Sequence, residues 1–229
     1  MEYLISPKEI AEKSATEINE ILQKVFSFDY FREQQEKGIL VKEPFRADGL
    51  QRALYRCPNC RAEGKTEGKG TKIICHACGT GYELTETGYL KADRGETPFS
   101  HIPDWYRWER ECVRKELEEG SYRLDIPVDI YMLMDTKCVY KVGEGRLIHT
   151  DDGFELTGCD GKLQYRQLPQ ASYSLYSDFY WYEIGDMISI GDAQVQYYCF
   201  PKQGENVVAK TRLATEELYK MKKEKRSRE

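Results

Sequence analysis

The sequence predicts an α+β chain: N-terminal helices, a four-cysteine zinc ribbon, and a mainly antiparallel β domain closed by a C-terminal helix. Three observations carry this prediction. Two C-x-x-C pairs, Cys57-Pro58-Asn59-Cys60 and Cys75-His76-Ala77-Cys78, stand fourteen residues apart. Residues 122–200 break into short β-prone segments separated by Gly and Asp turn signals. Helix punctuation brackets both regions, with Ser6-Pro7-Lys8-Glu9 at the start and an uninterrupted run from Ala209 at the end.

The first element, in a helical adapter over residues 1–42, is a helix opened by that Ser-Pro-Lys-Glu capping box. Ile10, Ser14, Ile18, Ile21, Leu22 and Val25 recur along one face. A second helix is expected from Phe28 to Lys37, with Ser27 as N-cap and Gly38 as stop. Alone, these helices have nothing to bury their apolar faces against. They need the rest of the chain or another domain.

Residues 50–92 read as the zinc ribbon. Each knuckle bends its backbone so that two thiolates face one ion, and Cys57, Cys60, Cys75 and Cys78 complete a tetrahedral set for Zn²⁺. Gly79 follows Cys78, where a tight knuckle turn calls for positive φ. Four thiolates leave no open ligand position, so the metal is expected to be structural. Strands are expected at Ala53–Arg56, Thr71–Cys75, Tyr82–Thr85 and 89–91, with 63–70 a flexible connector.

A bridging helix over residues 100–120 opens at Pro103 and stops at Gly120, with Trp105, Trp108, Cys112 and Leu117 on its apolar stripe. From 121 to 224 an antiparallel β domain ends in a helix from Ala209 to about Lys223. Seven or more antiparallel strands plus one C-terminal helix is the plan of a pleckstrin-homology-like barrel, and a β-sandwich satisfies the same pattern. Gly143-Glu144-Gly145 is expected to be a turn, with strands Cys138–Val142 and Arg146–His149 on either side.

Net charge bounds the function. The chain carries 34 Lys/Arg against 39 Asp/Glu, a balance of −5, which argues against nucleic acid as the partner of the whole surface. The ribbon is mildly basic, so a zinc-ribbon nucleic-acid-binding protein stands as the alternative reading. Lys220, Lys222, Lys223, Lys225, Arg226 and Arg228 make the C-terminus basic. Such a tail favours an anionic lipid surface by about 1 kcal/mol per basic residue near it, and a solvated terminus has the same composition. The aromatic run Tyr173, Tyr176, Phe179, Tyr180, Trp181 and Tyr182 suits a half-buried sheet or a binding face. No Lys or Arg lies between Ser172 and Phe200, which disfavours phosphate there. Unpaired Cys112, Cys138, Cys159 and Cys199, and an N-terminus without a signal-peptide pattern, point to a reducing cytoplasm, with peripheral membrane contact through the basic tail.

No catalytic constellation is legible. The histidines are His76, His101 and His149. A Cys112–His101 pair would need a third orienting group. No phosphate-cradling glycine loop occurs.

Several stretches, taken in order, resemble a known family. They are Phe28-Asp29-Tyr30-Phe31, Phe45-Arg46-Ala47-Asp48-Gly49-Leu50, the four-cysteine ribbon, His101-Ile102-Pro103-Asp104-Trp105, Asp125-Ile126-Pro127-Val128-Asp129-Ile130, and Tyr180-Trp181-Tyr182-Glu183-Ile184-Gly185-Asp186. The series is similar to the C-terminal extension that follows the catalytic domain in some bacterial 1-acylglycerol-3-phosphate acyltransferases. The resemblance implies an accessory region whose partner is an acyltransferase domain or another protein. The family's His with an Asp five positions later is absent, because Gly81, Tyr106 and Phe154 follow the three histidines at that distance. The expectation is a non-catalytic, zinc-containing module that positions a membrane, enzyme domain or protein partner.

Overall fold

The computed structural model describes residues 3–134, 138–202 and 206–226. Five helices accompany two antiparallel sheets, in agreement with the α+β prediction. The chain runs α1 (Pro7–Glu12), α2 (Ala15–Phe26), α3 (Tyr30–Lys37), a 3₁₀ turn (Leu50–Arg52), ribbon strands β1 (Thr66–Lys69), β2 (Lys72–Cys75), β3 (Gly81–Leu84) and β4 (Leu90–Ala92), then α4 (Ile102–Glu118). The β domain follows as β5 (Leu124–Met134), β6 (Cys138–Thr150), β7 (Gly153–Gly158), β8 (Leu163–Gln167), β9 (Tyr176–Trp181), β10 (Gly185–Gly191) and β11 (Gln196–Pro201), ending in α5 (Val207–Arg226).

The expected first helix is two. Ser14-Ala15-Thr16-Glu17 forms a second capping box, and this local set of bonds outweighs the continuous apolar periodicity. Asp29, not Ser27, caps α3, accepting from the Arg32 amide at 3.0 Å. Helix α3 is employed. Its Gln34 and Gln35 amides donate to the Glu86 and Gly88 carbonyls, and Phe31 packs into the ribbon core. Helices α1 and α2 contribute no buried residue.

In the ribbon the expected strand at Ala53–Arg56 shrinks to one bridge, Arg56 to Glu63. The expected connector instead supplies β1, paired with β2 from Thr66↔Cys75 to Lys69↔Lys72. Glycine composition hid this strand. Gly68 is small because the Ala47 carbonyl lies where its Cβ would stand, 2.3 Å away.

The β domain is one seven-stranded sheet in the order β8-β7-β6-β5-β11-β10-β9. It does not close as a barrel, but it curls. The Tyr165 ring of β8 meets the Tyr197 ring of β11 at 5.3 Å, although three strands separate them in the sheet. Gln167 of β8 accepts from the Gly191 amide of β10, so a side chain spans the gap that a barrel would fill with ladder bonds. The Gly143–Gly145 segment is no turn, since β6 continues through it, with a shift in its register against β5 between Lys141 and Gly143. Gly145 faces Gly158 with the Thr157 carbonyl 2.2 Å from where a Cβ would be, so these glycines permit the close approach of β6 and β7. The concave face buries Val128, Ile130, Leu147, Leu156, Ile188 and Cys199.

Helix α5 lies mainly along α4, with Leu213, Ala214 and Leu218 against Val113 and Leu117, and sends Val208 into the sheet core. Charge locks the joint. Lys210 of α5 reaches Glu63 at 2.9 Å and Glu116 of α4 at 2.7 Å, and Arg56 reaches Glu116 at 2.9 Å. Beneath it, Glu109 of α4 is fully buried and accepts from the Arg56 amide at 2.8 Å. Burial pushes its pKa up to about 9.

This carboxyl keeps its proton in the folded state while the unfolded chain loses it near pH 4.5. Stability from this group therefore falls as pH rises from about 4.5 to 9. Glu109→Gln should melt above the parent protein at pH 8, with the gap closing toward pH 5. Thermal unfolding across that range is the check, and equal shifts at every pH would show that Glu109 is ionised in the fold.

Candidate metal centre

All four predicted ligands converge. The Sγ atoms of Cys57, Cys60, Cys75 and Cys78 lie within 4.8 Å of one another. The Cys57–Cys78 and Cys60–Cys75 separations are 3.8 and 3.7 Å. A tetrahedron with metal–sulfur bonds of about 2.3 Å has edges of about 3.8 Å, so the spacing fits one tetrahedral ion.

The two knuckles share one backbone plan. The Cys57 amide donates to the Ala62 carbonyl and the Arg61 amide to the Cys57 carbonyl; the Cys75 amide donates to Thr80 and the Gly79 amide to Cys75. Arg61 and Gly79 both take positive φ, at 62° and 73°. Glycine was legible as the turn residue in the second knuckle, whereas in the first an arginine adopts the same conformation at a steric cost. Within each knuckle two backbone amides turn toward the first sulfur, Asn59 and Cys60 toward Cys57, and Ala77 and Cys78 toward Cys75.

The surroundings favour thiolate unequally. Burial pushes Cys57 up to about 12. Burial also opposes the Cys78 thiolate, but the Thr80 hydroxyl and amide and the Asn59 side chain hold its pKa down to about 6. The Tyr82 hydroxyl is buried beside Cys57 without an oxygen or nitrogen partner. A metal-bound thiolate would accept from it, and the donor set of four sulfurs matches a soft or borderline divalent ion. Asn59, Thr80 and Tyr82 escaped the sequence reading, although Asn59 inside the knuckle and Thr80 two residues after the last cysteine were the available signals.

The other candidates do not assemble. His76 is a spacer, paired with Glu67 at 2.8 Å outside the sulfur cluster. His101 Nε2 lies 3.1 Å from Asp29 and Nδ1 lies 3.2 Å from Asp104, pinning α3 to the start of α4. Cys112 sits farther along α4 beside Arg56 and Glu116. His149 Nδ1 is hydrogen-bonded to the Tyr122 hydroxyl at 2.9 Å and its ring stacks on Phe154 at 3.8 Å, and burial pulls its pKa down to about 3. It is a neutral core residue at physiological pH. In the basic tail, Lys220 is bound to Glu217 at 2.8 Å and Lys222 lies in a groove with Asp151 and Asp152; Arg228 lies outside the described residues. Among the described residues no helix is long and apolar enough to cross a membrane. The aromatic run divides. Trp181 stacks on Tyr198 at 4.4 Å, while Tyr176, Tyr180 and Tyr182 are exposed.

Compared with protein-family models, curated proteins and solved structures, the chain has no significant match in any of the three.

The ribbon core packs against this centre. Tyr82 packs edge-on to Trp105 at 5.1 Å, and the Trp105 indole donates to the Arg56 carbonyl next to Cys57. Cys57→Ser or Cys78→Ser should abolish stoichiometric metal and unfold residues 50–91. Metal analysis, hydrogen exchange and a red shift of Trp105 emission measure this. Tyr82→Phe should keep the fold and weaken metal affinity about tenfold, as read by chelator competition. Normal melting of the cysteine variants would dissolve the link between metal and fold.

Proposed function

We propose that the chain is a zinc-stabilised accessory module that docks a protein domain through its N-terminal helices and has no reaction of its own. The observation that carries the docking is the state of α1 and α2. Ile18, Ile21, Leu22 and Val25 follow the i, i+3, i+4, i+7 spacing of a core-facing stripe, yet none is buried. Ile10 is 53% exposed and Phe26 is 77% exposed. Two capping boxes fix these short helices, so their apolar faces are held ready for a partner. Zinc is supported by four sulfurs at tetrahedral spacing, and a complete sulfur set leaves no position for substrate or water.

The resemblance described above supports an acyltransferase catalytic domain as the partner. The structure lends less to membrane contact, because Lys220 is engaged with Glu217 and Lys222 lies in a groove with Asp151 and Asp152. For the nucleic-acid alternative the ribbon offers only its mild positive balance.

Two experiments test the reading. In its own cells the native polypeptide, or a stable complex containing it, should run well above 26.7 kDa. Ile10→Asp with Val25→Asp alters exposed positions, so the fold and zinc content should be unchanged. Association with a co-expressed acyltransferase catalytic domain should drop at least about tenfold, as one or two buried apolar anchors lost from an interface would cause. Unchanged association would refute docking through these helices. Binding to DNA or RNA that falls steeply with salt would select the alternative.

A further inference from the structure

A cavity of about 270 Å³ opens where the two halves of the molecule meet. Its walls are Phe31 of α3, Leu54 after the 3₁₀ turn, Ile102 and Tyr106 of α4, Phe179 of β9 and Val208 of α5. The ribbon side and the β domain thus both send side chains here. The lining is predominantly apolar, with Arg52 and Arg212 as its charged members and no carboxylate.

Both arginines have their positions fixed. The Arg52 guanidinium lies over the Phe179 ring at 5.8 Å and leans on Asp186 of β10 at 3.4 Å. Arg212 holds Glu216 at 3.3 Å, but the same Glu216 is held by Arg110 at 2.7 Å. Arg110 is held by Glu217 as well, at 3.0 Å, so both lining arginines are paired, but Arg52 and Arg212 each meet their carboxylate through Nε, which leaves terminal N–H donors for a guest. An apolar slot lined by two arginine side chains and no carboxylate favours an anionic guest over a cationic one.

We propose that this cavity binds a small amphipathic organic anion, with an apolar body of one or two rings or a short branched chain in the slot and a single anionic head on Arg52 and Arg212. The volume sets the size, since it falls just below the roughly 300–1,000 Å³ of drug-sized sites. The charge pattern sets the head group, since a cation would meet two arginines and a neutral molecule would leave them unused. The site is independent of the docking helices, which do not line it.

The probes are 2-naphthoate and its uncharged isostere 2-naphthamide, titrated calorimetrically into the zinc-loaded chain. Naphthoate should bind once per chain, and the amide about tenfold more weakly, as loss of a charge-assisted hydrogen bond implies. Arg212→Ala, at a half-exposed position, should bring the two affinities together. Ala53→Trp should fill the slot and abolish both. If that variant loses its zinc or its cooperative melt, Ser177→Trp fills the slot from the opposite wall. Equal affinity for acid and amide, several weak sites per chain, binding unchanged in the filled variant, or no binding at millimolar concentration would each overturn the assignment.

Discussion

Four sulfurs meet at one point, and the order of the ribbon and the seating of α4 are built around that meeting. Holding Cys57, Cys60, Cys75 and Cys78 within 4.8 Å fixes both knuckles and sets the β1–β2–β3 register. That register places Tyr82 against Cys57 and Trp105, and Trp105 anchors α4 to the carbonyl of Arg56. The ribbon's own apolar core is small, with Leu54, Ile73, Leu84 and Leu90 as its main members. A core of that size relies on a metal or a neighbouring element for its stability. Here α4 packs against it, and the four sulfurs stand ready for the metal.

Helix α4 transmits the constraint onward. One face packs on the ribbon and another on α5, and buried charge couples the three. Glu217 of α5 is almost wholly buried and is held by Arg110, Arg114 and Lys220, while Lys210 ties α5 to Glu63 of the ribbon. Partnered ions of this kind are strongly directional, because removing one partner leaves a buried charge without compensation. They fix how α5 lies relative to α4. Val208 then carries the same alignment into the curled sheet. The cavity between the halves exists because three elements from one side and two from the other are held at fixed separation.

Uncovered apolar side chains gather on α1, α2 and the β9–β10 hairpin. In that hairpin Tyr180, Tyr182 and Glu183 adopt left-handed backbone conformations, and Asp186 accepts from the Tyr180 amide. Such a conformation costs a non-glycine residue about 1–2 kcal/mol, so the tertiary setting is holding it. The hairpin puts Phe179 at the cavity and under Arg52, a cation that lies far away in sequence.

The sequence by itself determined the four-cysteine cluster, the α+β class, the bridging helix and the C-terminal helix. These features rest on local chemistry: cysteine spacing, hairpin turn residues, caps and periodicity act over a few residues. The tertiary structure decided what depends on contacts distant in the chain. Gly68, read as part of a connector, and Gly145, read as part of a turn, lie within strands, because a neighbouring backbone carbonyl passes too close for a side chain. The sheet curls without closing because Gln167 reaches Gly191 across the gap, a bond that no local pattern encodes. The orphan hydroxyl of Tyr82, the neutral Glu109 and the arginine-edged cavity likewise arise only when separate segments exclude water together. Burial is a property of the assembled molecule, and no single stretch of sequence carries it.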